Sequence, residues 1–596
     1  MKLLRQEKGS ALVMVMFMML ILTILGVAIL SAAVGGSRRT LTRENDIQSL
    51  QLTQKTLDES IAFISANLNG VTTIEPDNLE SSIRSVVSRI PVLNSSDEGP
   101  SVSTDLQNAS GKLLSYDISS DYVDDVLKKN TSFTVTLKAR GNVNGVERIL
   151  SQQVKITMFP DFLQYAFGSE QNLIINGAPY IDGNIYAGNE LRISNTPEYV
   201  FGSPEFKKTT SVFPEMVSSG QVYIQSLDQF LISEGISGIL RPINTGSSTE
   251  TQENVRKALN VPLNQVHIRN QKKFVQIDVE DSFLDKLEEA FGANRQALKE
   301  AYDAGGAQQA VISLQNESNV LRMPIEPVLK VPAPLGDDPT DEEIETYNEE
   351  KIKLENEYEQ EKLIYLQKLK ELHTKLTQMN ASYIYEGNLI VDGDFLSGLA
   401  SLNKAGGESG AANWLIVNGD LTLDSKAGGS VGLQSNVLVT GNVRFADETI
   451  VDSTMFVMGQ TDIEDATIRG ADDVKELVLI SKGKILLNRV DAFEDTVQLL
   501  RGFFYTDGEA ELYGVGSKFN LEGGFFAKGD LTVNAVVGHS AAGTSDILFD
   551  AQSNGMREGA SRFKVKYNDD VYAHQNIGLP KVQQISVSAG KLILDH

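Results

Sequence analysis

Four closely spaced acidic pairs contain the side chains of this sequence that are best suited to chemistry: Asp392/Asp394, Glu464/Asp465, Asp472/Asp473 and Asp507/Glu509. Two carboxyl groups can act as general acid and general base on a glycosidic bond when one is desolvated and the other exposed. Half of these acids flank glycines, however, where Asp is also a common turn residue. No cluster of Lys and Arg accompanies them to hold an acidic sugar. The sequence therefore favours solvated turns and predicts no catalytic residue.

Other catalytic and metal-binding signals are missing from the sequence. There is no cysteine, which excludes disulfides, Cys-based zinc sites and thiol nucleophiles. The five histidines do not have metal-ligand spacing: His267, His373, His539, His574 and His596. No phosphate-binding loop, EF-hand loop or Gly-Gly-x-Gly-x-Asp tandem is present. We expect neither a cofactor nor a metal, although calcium at turn carboxylates stays open.

The length and net charge of the chain limit the number of structural units and the kinds of partner that we expect. A chain of 596 residues is expected to form two to four structural units. Its apolar content of 41% and charged content of 22% are ordinary for folded proteins. The formal charge of −26 argues against a nucleic-acid partner, because phosphate binding needs clustered Lys and Arg.

An uncharged apolar stretch covers residues 9–37 and is long enough to cross a hydrocarbon core of ~30 Å. A cleaved signal peptide is one alternative, since Ser31-Ala32-Ala33 could serve as its cleavage site. A helical stripe continues without Pro beyond this stretch, which favours a retained helix: Ile47, Leu50, Leu57, Ile61, Ile64 and Leu68. A plain membrane anchor with a stalk also remains open.

Three basic residues precede a Gly9-Ser10 junction, which itself precedes the apolar run "ALVMVMFMMLILTILGVAIL". This arrangement resembles the leader and helix of type IV pilin-like proteins, and specifically the PilX type of minor pilin. The resemblance covers residues 9–66, about a tenth of the chain. It implies that a leader peptidase cuts between Gly9 and Ser10 and that the helix is retained to pack beside other pilin-like subunits.

One position departs from the family pattern. Most major pilins have a glutamate at the fifth position after the cut, and Met14 stands there in this chain. An unpaired carboxylate is costly in hydrocarbon, so its absence favours membrane storage and weakens registration in a filament. This departure suits a minor, tip-located or initiating subunit. The preferred orientation, with most of the chain outside the cell, is implied by the resemblance, because Arg38, Arg39 and Arg43 blur the positive-inside signal.

Alternating apolar residues on both sides of "NVNG" predict a β-hairpin over residues 132–158. A different pattern begins at residues 173–193 and resumes after Tyr383, with short apolar runs and glycines preceded by polar residues. The repeated glycines are Gly393, Gly419, Gly441, Gly459, Gly483, Gly508 and Gly529, at intervals of 26, 22, 18, 24, 25 and 21 residues. This quasi-period predicts a solenoid, specifically a right-handed parallel β-helix. An antiparallel sandwich is the alternative.

An insertion over residues 196–380 separates the two repetitive regions. Its periodicity predicts a helix pair and, after a Pro-rich linker, a long charged helix over residues 342–379. That helix either packs back on the solenoid, as an amphipathic helix or a helical hairpin, or self-associates as a coiled coil.

The expected fold is mainly β, with a long transmembrane α-helix at the amino terminus, a small pilin-like α+β neck and a parallel β-helix head that carries the helical insertion. The expected segments are as follows: a basic leader (1–9), the transmembrane and amphipathic helix (10–69), a neck (70–160), a first solenoid piece (161–195), the insertion (196–380) and the main solenoid (381–596).

We expect a structural minor pilin-like subunit of a type IV pilus or related surface-assembly system, in a cell membrane with a single span. The head would serve in capping, adhesion or assembly, and would bind a surface or a glycan. The implied partners are other pilin-like subunits, the leader peptidase and the pilus assembly platform. The alternatives are a membrane-anchored β-helix enzyme acting on polysaccharide and an anchored polymerising scaffold.

Overall fold

The computed structural model describes residues 8–68, 76–90, 108–120, 132–157, 161–202, 204–268, 277–392, 401–403, 413–426, 429–473, 475–487, 493, 496–550, 557–568 and 585–595. Within these residues the protein is mostly β, with one long apolar helix near the amino terminus. The chain forms two compact units: Met1–Phe159 together with Val582–His596, and Pro160–Lys581.

The helices are α1 (Lys8–Leu68), α2 (Pro76–Val87), α3 (Ser248–Leu259), α4 (Val279–Phe291), α5 (Arg295–Ile312), α6 (Asp341–Thr377) and α7 (Arg557–Ala560). The strands of the first half are β1 (Ala109–Ser120), β2 (Ser132–Val143), β3 (Val146–Thr157), β4 (Phe167–Ser169), β5 (Leu173–Gly177), β6 (Tyr180–Asp182), β7 (Ile185–Ala187), β8 (Leu191–Ser194), β9 (Glu198–Val200), β10 (Phe206–Lys208), β11 (Glu215–Met216), β12 (Val222–Ile224), β13 (Phe230–Ser233), β14 (Arg241–Pro242), β15 (Val266–Ile268) and β16 (Val320–Leu321). Those of the second half are β17 (Tyr383–Glu386), β18 (Leu389–Asp392), β19 (Ser401–Asn403), β20 (Trp414–Asn418), β21 (Leu421–Asp424), β22 (Val431–Gln434), β23 (Asn436–Val439), β24 (Val443–Val451), β25 (Ser453–Val457), β26 (Thr461–Gly470), β27 (Leu477–Ser481), β28 (Ile485–Leu487), β29 (Val497–Thr506), β30 (Ala510–Gly514), β31 (Lys518–Ala527), β32 (Leu531–Ala535), β33 (His539–Ala542), β34 (Ile547–Asp550), β35 (Phe563–Lys566) and β36 (Ser586–Asp595).

The first unit packs the carboxyl-terminal half of α1 on a four-stranded antiparallel sheet in the order β1-β2-β3-β36. The predicted hairpin is observed as β2 and β3, joined at Asn144-Gly145, and its last residue, Met158, lies outside the described residues. Asn144 and Gly145 both have positive φ, as the tight hairpin turn requires. Apolar residues of α1 and of alternate sheet positions form one core, which includes Leu57, Ile64 and Val135.

The helix approaches the sheet closely because small residues face each other. Ser49, Thr53 and Thr56 of α1 are buried. A Cβ on Gly141 of β2 would lie 2.3 Å from the carbonyl oxygen of Ser49, so only glycine fits there. The Thr53 hydroxyl donates across this contact to the carbonyl oxygen of Arg148, at 3.1 Å.

The carboxyl-terminal strand β36 completes this sheet by pairing antiparallel with β3. This differs from the predicted segment 381–596, which placed the last residues in the main solenoid. The physical reason is that the free edge of β3 offers unpaired backbone N–H and C=O groups, which β36 satisfies. The whole of Pro160–Lys581 is therefore inserted in the chain between two neighbouring strands of one sheet.

The second unit contains, within its described residues, a sheet of 28 strands joined almost entirely by parallel pairs. Three ladders run through it, each connecting equivalent strands of successive repeats. The first ladder is β17-β20-β23-β25-β27-β29-β31-β4-β7-β12-β15. The second is β18-β21-β24-β26-β28-β30-β32-β5-β8-β13. The third is β19-β22-β24-β26-β29-β31-β35-β6-β11.

The two repetitive regions of the sequence join in these ladders out of chain order. Phe525 pairs with Phe167, Leu531 with Leu173 and Lys564 with Tyr180. Strands β11 to β13 continue the ladders beyond residue 195.

Helices α3 and α6 contribute to the hydrophobic core of the second unit. Residues of α3 and of the end of α6 belong to the same apolar cluster as the strands, including Leu259, Leu372 and Leu376. The predicted helix pair is observed as α4 and α5, and Lys286 of α4 lies over the Trp414 ring of β20 at 5.8 Å. The outer face of β20 is covered in this way, and β20, β25 and β27 are buried on both faces.

Candidate functional site

The first unit leaves the apolar half of α1 exposed, because its sheet packs only on the second half of this helix. Among the described residues, the helix from Leu12 onward is the one helix that is long and apolar enough to span a membrane. Its most apolar stretch has a mean hydropathy of 2.9, and none of that stretch is buried. Met14 is 70% exposed and Leu22 64% exposed. Burying such a side chain gains about 1.5–3 kcal/mol, so a cover of lipid or of other helices would stabilise this half.

The interior of this segment is suited to a hydrocarbon environment. Thr23 lies within it, and its hydroxyl donates to the carbonyl oxygens of Met19 and Leu20 at 2.9 and 2.8 Å. Its donor is thus satisfied within the helix, as a polar group in lipid requires. No carboxylate interrupts residues 9–37.

The predicted cleavage position lies at the start of this helix. Gly9 and Ser10 are in the first turn of α1, and nothing of their side chains is described. The basic residues of the predicted leader within 1–7 lie outside the described residues. Met14 occupies the exposed apolar surface, in the position where the pilin pattern has glutamate.

The character of α1 changes where it meets the sheet. Beyond Arg43 the helix buries Ser49, Leu52 and Leu57 in turn. Arg148 of β3 holds Asp46 at 2.5 Å at this transition. One continuous helix of 61 residues therefore joins an exposed apolar half to a half that belongs to a folded core.

The predicted acidic pairs do not form a shared site. Asp392 is ion-paired with Lys426 at 2.5 Å, and its partner Asp394 lies outside the described residues. Glu464 pairs with Arg444 at 3.0 Å, whereas Asp465 has positive φ at a bend and accepts from Gln498.

The remaining two pairs do not form a shared site either. Asp472 accepts from the backbone N–H of Lys475 at 2.9 Å, as a turn residue does. The backbone carbonyl of Asp473 accepts from Arg501. Asp507 is half-buried and Glu509 is exposed, and only Asp507 belongs to the charged column described below.

The repeated glycines of the sequence stack directly on one another. The backbone N–H groups of Gly441, Gly459 and Gly483 each donate to the glycine one repeat earlier, at 2.9 Å. A Cβ on Gly483 would lie 2.4 Å from the carbonyl oxygen of Gly459, so a side chain cannot be accommodated. At the first repeat the stacked residue is Gly387, against which Gly419 packs. The sequence alignment had placed Gly393 there, and Gly393 lies outside the described residues.

The residue that follows each stacked glycine forms a second column. The Asn388 side-chain oxygen accepts from the backbone N–H of Asp420 at 2.9 Å, and Asp420 accepts in the same way from Asn442 at 2.7 Å. Asn442 repeats this toward Gln460 at 2.9 Å. These side chains satisfy backbone donors at the corners, where the strand ladders are interrupted.

A charged column runs along the same corner: Lys482, Asp507 and Lys528 directly precede Gly483, Gly508 and Gly529, and Glu170 takes the equivalent place in the next repeat. Lys528 lies 3.6 Å from Asp507, and the hydroxyl of Tyr505 donates to the same carboxylate at 3.0 Å. Lys482 pairs with Glu280 of α4 and contacts Tyr302 of α5. Positive and negative side chains thus alternate along the column, and Lys482 links it to α4 and α5.

Burial shifts the titration of this column. Desolvation raises the pKa of Glu170 and of Asp507, against the opposing attraction of Lys528. Desolvation also raises the pKa of the Tyr505 phenol. Sequence analysis identified Asp507 but missed Lys528 and Glu170. Lys528 could have been found, because Lys482, Asp507 and Lys528 each directly precede a repeated glycine. Glu170 lies more than 300 positions from the other three and has no such signal.

Comparisons with known proteins give little similarity. No family model matches this chain, and no curated protein matches it. Among solved structures, the crystal structure of the competence-associated pilin ComZ from Thermus thermophilus aligns over 93% of this chain and 98% of its own. The sequence identity is 12% and the TM-score 0.25, which is too low to establish a common fold.

Proposed function

We propose that this chain is a pilin-like subunit that is stored in a membrane through the apolar half of α1 and assembles with other pilin-like helices. One observation carries the proposal: a single unbroken helix is exposed and apolar in its first half and packed on an antiparallel sheet in its second. A cleaved signal peptide has no need of that continuity.

The proposed head is a right-handed parallel β-helix formed by Pro160–Lys581. Three parallel ladders, stacked glycines and a column of corner Asn and Asp side chains support this architecture. In the proposal the head lies outside the cell, where it caps, decorates or helps to assemble the appendage, and it binds a surface or a glycan.

The proposed role within the assembly is that of a minor or initiating subunit. Met14 cannot neutralise the new amino terminus of a neighbour as a glutamate would. The leader peptidase and the assembly platform complete the proposed set of partners. The proposal is structural rather than enzymatic, because four of the candidate acids are engaged in ion pairs or turns: Asp392, Glu464, Asp472 and Asp507.

Amino-terminal sequencing of the membrane-bound protein tests this proposal. The mature chain is expected to begin at Ser10, and a Gly9→Val variant is expected to keep its leader. Gly36→Val, with the same substitution at a glycine that has open space around it, is the matched control. A chain that begins at Met1 would indicate a plain anchor, and one that begins near Val34 would indicate a released protein.

The enzymatic alternative has its own test. The full chain in detergent would be incubated with polysaccharides, and released reducing ends would be measured. We expect no cleavage. Cleavage that disappears in Asp507→Asn or Glu464→Gln would replace the structural proposal with a membrane-anchored enzyme.

A further inference from the structure

The long helix α6 carries an apolar side that its own unit leaves uncovered. Its buried residues lie only in its last turns: Leu369, Leu372 and Leu376, of which Leu372 and Leu376 belong to the core of the second unit. Ile352 and Leu363 are 59% and 67% exposed, and Leu366 is also exposed. Spacings of 11 and 3 residues return to nearly the same direction on a helix with 3.6 residues per turn. These three residues therefore form one stripe, termed here the outer stripe.

The Pro-rich linker before α6 covers a different side of the helix. Residues 320–327 line one groove with Ile364, Tyr365 and Lys368, while Ala333 and Leu335 line another with Tyr347. The linker thus runs antiparallel to α6 beside Tyr347 and Tyr365, which are half-buried. The outer stripe lines neither of these two grooves.

The charge along α6 is strongly divided. Residues 341–361 contain ten carboxylates and two lysines, whereas residues 362–377 contain four lysines and one glutamate. Two such helices repel in parallel, because acidic halves would lie side by side. In the antiparallel direction the acidic half of each lies on the basic half of the other.

We infer that α6 binds a second copy of this chain through the outer stripe, as an antiparallel helix pair centred near Glu359. In this register Ile352 of one copy packs against Leu363 and Leu366 of the other. Lys362 lies opposite Glu355 and Glu359 of the second copy, which offsets the mutual repulsion of the two Glu359 side chains. Lys370 lies opposite Glu345 and Glu349. The two-fold relation makes the interface self-complementary.

Cysteine crosslinking of the full chain in detergent tests both the contact and its direction. The natural chain has no cysteine, so every crosslink reports the introduced thiols. Ile352→Cys and Leu366→Cys chains, with different tags, are mixed and oxidised. We expect the mixed disulfide to form at least tenfold faster than the Ile352→Cys homodimer. In the proposed register two copies of position 352 lie about 21 Å apart, far beyond the reach of a disulfide.

Controls separate this contact from association through α1. Glu357→Cys lies on another side of α6, is also exposed, and should crosslink poorly with Leu366→Cys. Lys370→Glu together with Lys362→Glu should reduce the specific crosslink at least fivefold. Glu345→Lys, Glu349→Lys and Glu355→Lys in the partner chain should restore it. Preferential 352–352 crosslinking would show a parallel pair and overturn the inference. Equal rates for Glu357→Cys and Ile352→Cys, or no crosslink at all, would also overturn it.

Discussion

Leu594, in the last strand of the protein, lies directly opposite Leu150 in the third. The antiparallel pairing of β36 with β3 thus closes a sheet whose other strands precede the insertion of Pro160–Lys581. Ile585, just before β36, is buried in the same core as Leu57 and Ile64 of α1. The support for the second half of α1 therefore depends on residues from both ends of the chain.

Removal of residues 582–596 should destabilise the first unit by about 2 kcal/mol or more, because it deletes Ile585 from the core and exposes the edge of β3. Limited proteolysis with mass spectrometry should then find new cuts within residues 109–157. Cuts within Pro160–Lys581 should not increase. Ile593→Ser, at an exposed position of β36, is the control and should leave the pattern unchanged. An unaltered digest of the truncated chain would contradict the dependence.

Gly441→Ala should destabilise the second unit by about 1–3 kcal/mol, because the new Cβ would lie 2.7 Å from the carbonyl oxygen of Gly419. Trp414 is the single tryptophan and is fully buried in this unit, so its emission reports urea unfolding. Gly429→Ala is the matched control, since its nearest neighbour would be 3.5 Å away. Equal urea midpoints for the two variants would show that the glycine column is not under steric constraint.

Glu170→Gln should change how the stability of the second unit depends on pH. Burial raises the pKa of Glu170, so the folded chain keeps this proton at a pH where the unfolded chain has lost it. Its contribution is most favourable below the usual glutamate pKa of about 4.3 and is lost as pH rises through the raised value. The raised pKa of Asp507 acts in the same direction.

The variant should therefore gain stability relative to the natural chain on going from about pH 4 to pH 7. Urea midpoints followed through Trp414 emission would measure this difference. Glu509→Gln, which removes an exposed carboxyl from the same corner, is the control variant. A Glu170→Gln slope that matches the natural chain would indicate that Lys528 fully compensates the burial.

Leu22→Arg should weaken membrane retention, because a charged side chain near the middle of a span costs about 2.5–3.5 kcal/mol. The measurement is the fraction of protein that remains with membranes after an alkaline wash. Ser37→Arg, at the end of the uncharged stretch and next to Arg38, should be retained as well as the natural chain. Equal retention of the two variants would argue against Leu22 lying in the hydrocarbon.

Local patterns in the sequence determined the elements whose partners are close along the chain. Alternating apolar residues and the Asn144-Gly145 turn specify the hairpin of β2 and β3. The recurrence of Gly419, Gly441 and Gly459 identifies glycines whose backbones hydrogen-bond to one another in turn. The uncharged run at residues 9–37 specifies an apolar helix by composition alone.

The tertiary structure alone decided which distant edges meet. Strand β36 pairs with β3, Phe525 pairs with Phe167, and Glu170 follows Lys528 in the charged column. None of these relationships has a periodic signal, because periodicity describes which face of an element is apolar and not which edge it joins. The pairing of edges is settled only when the cores form and each remaining backbone donor and acceptor must find a partner.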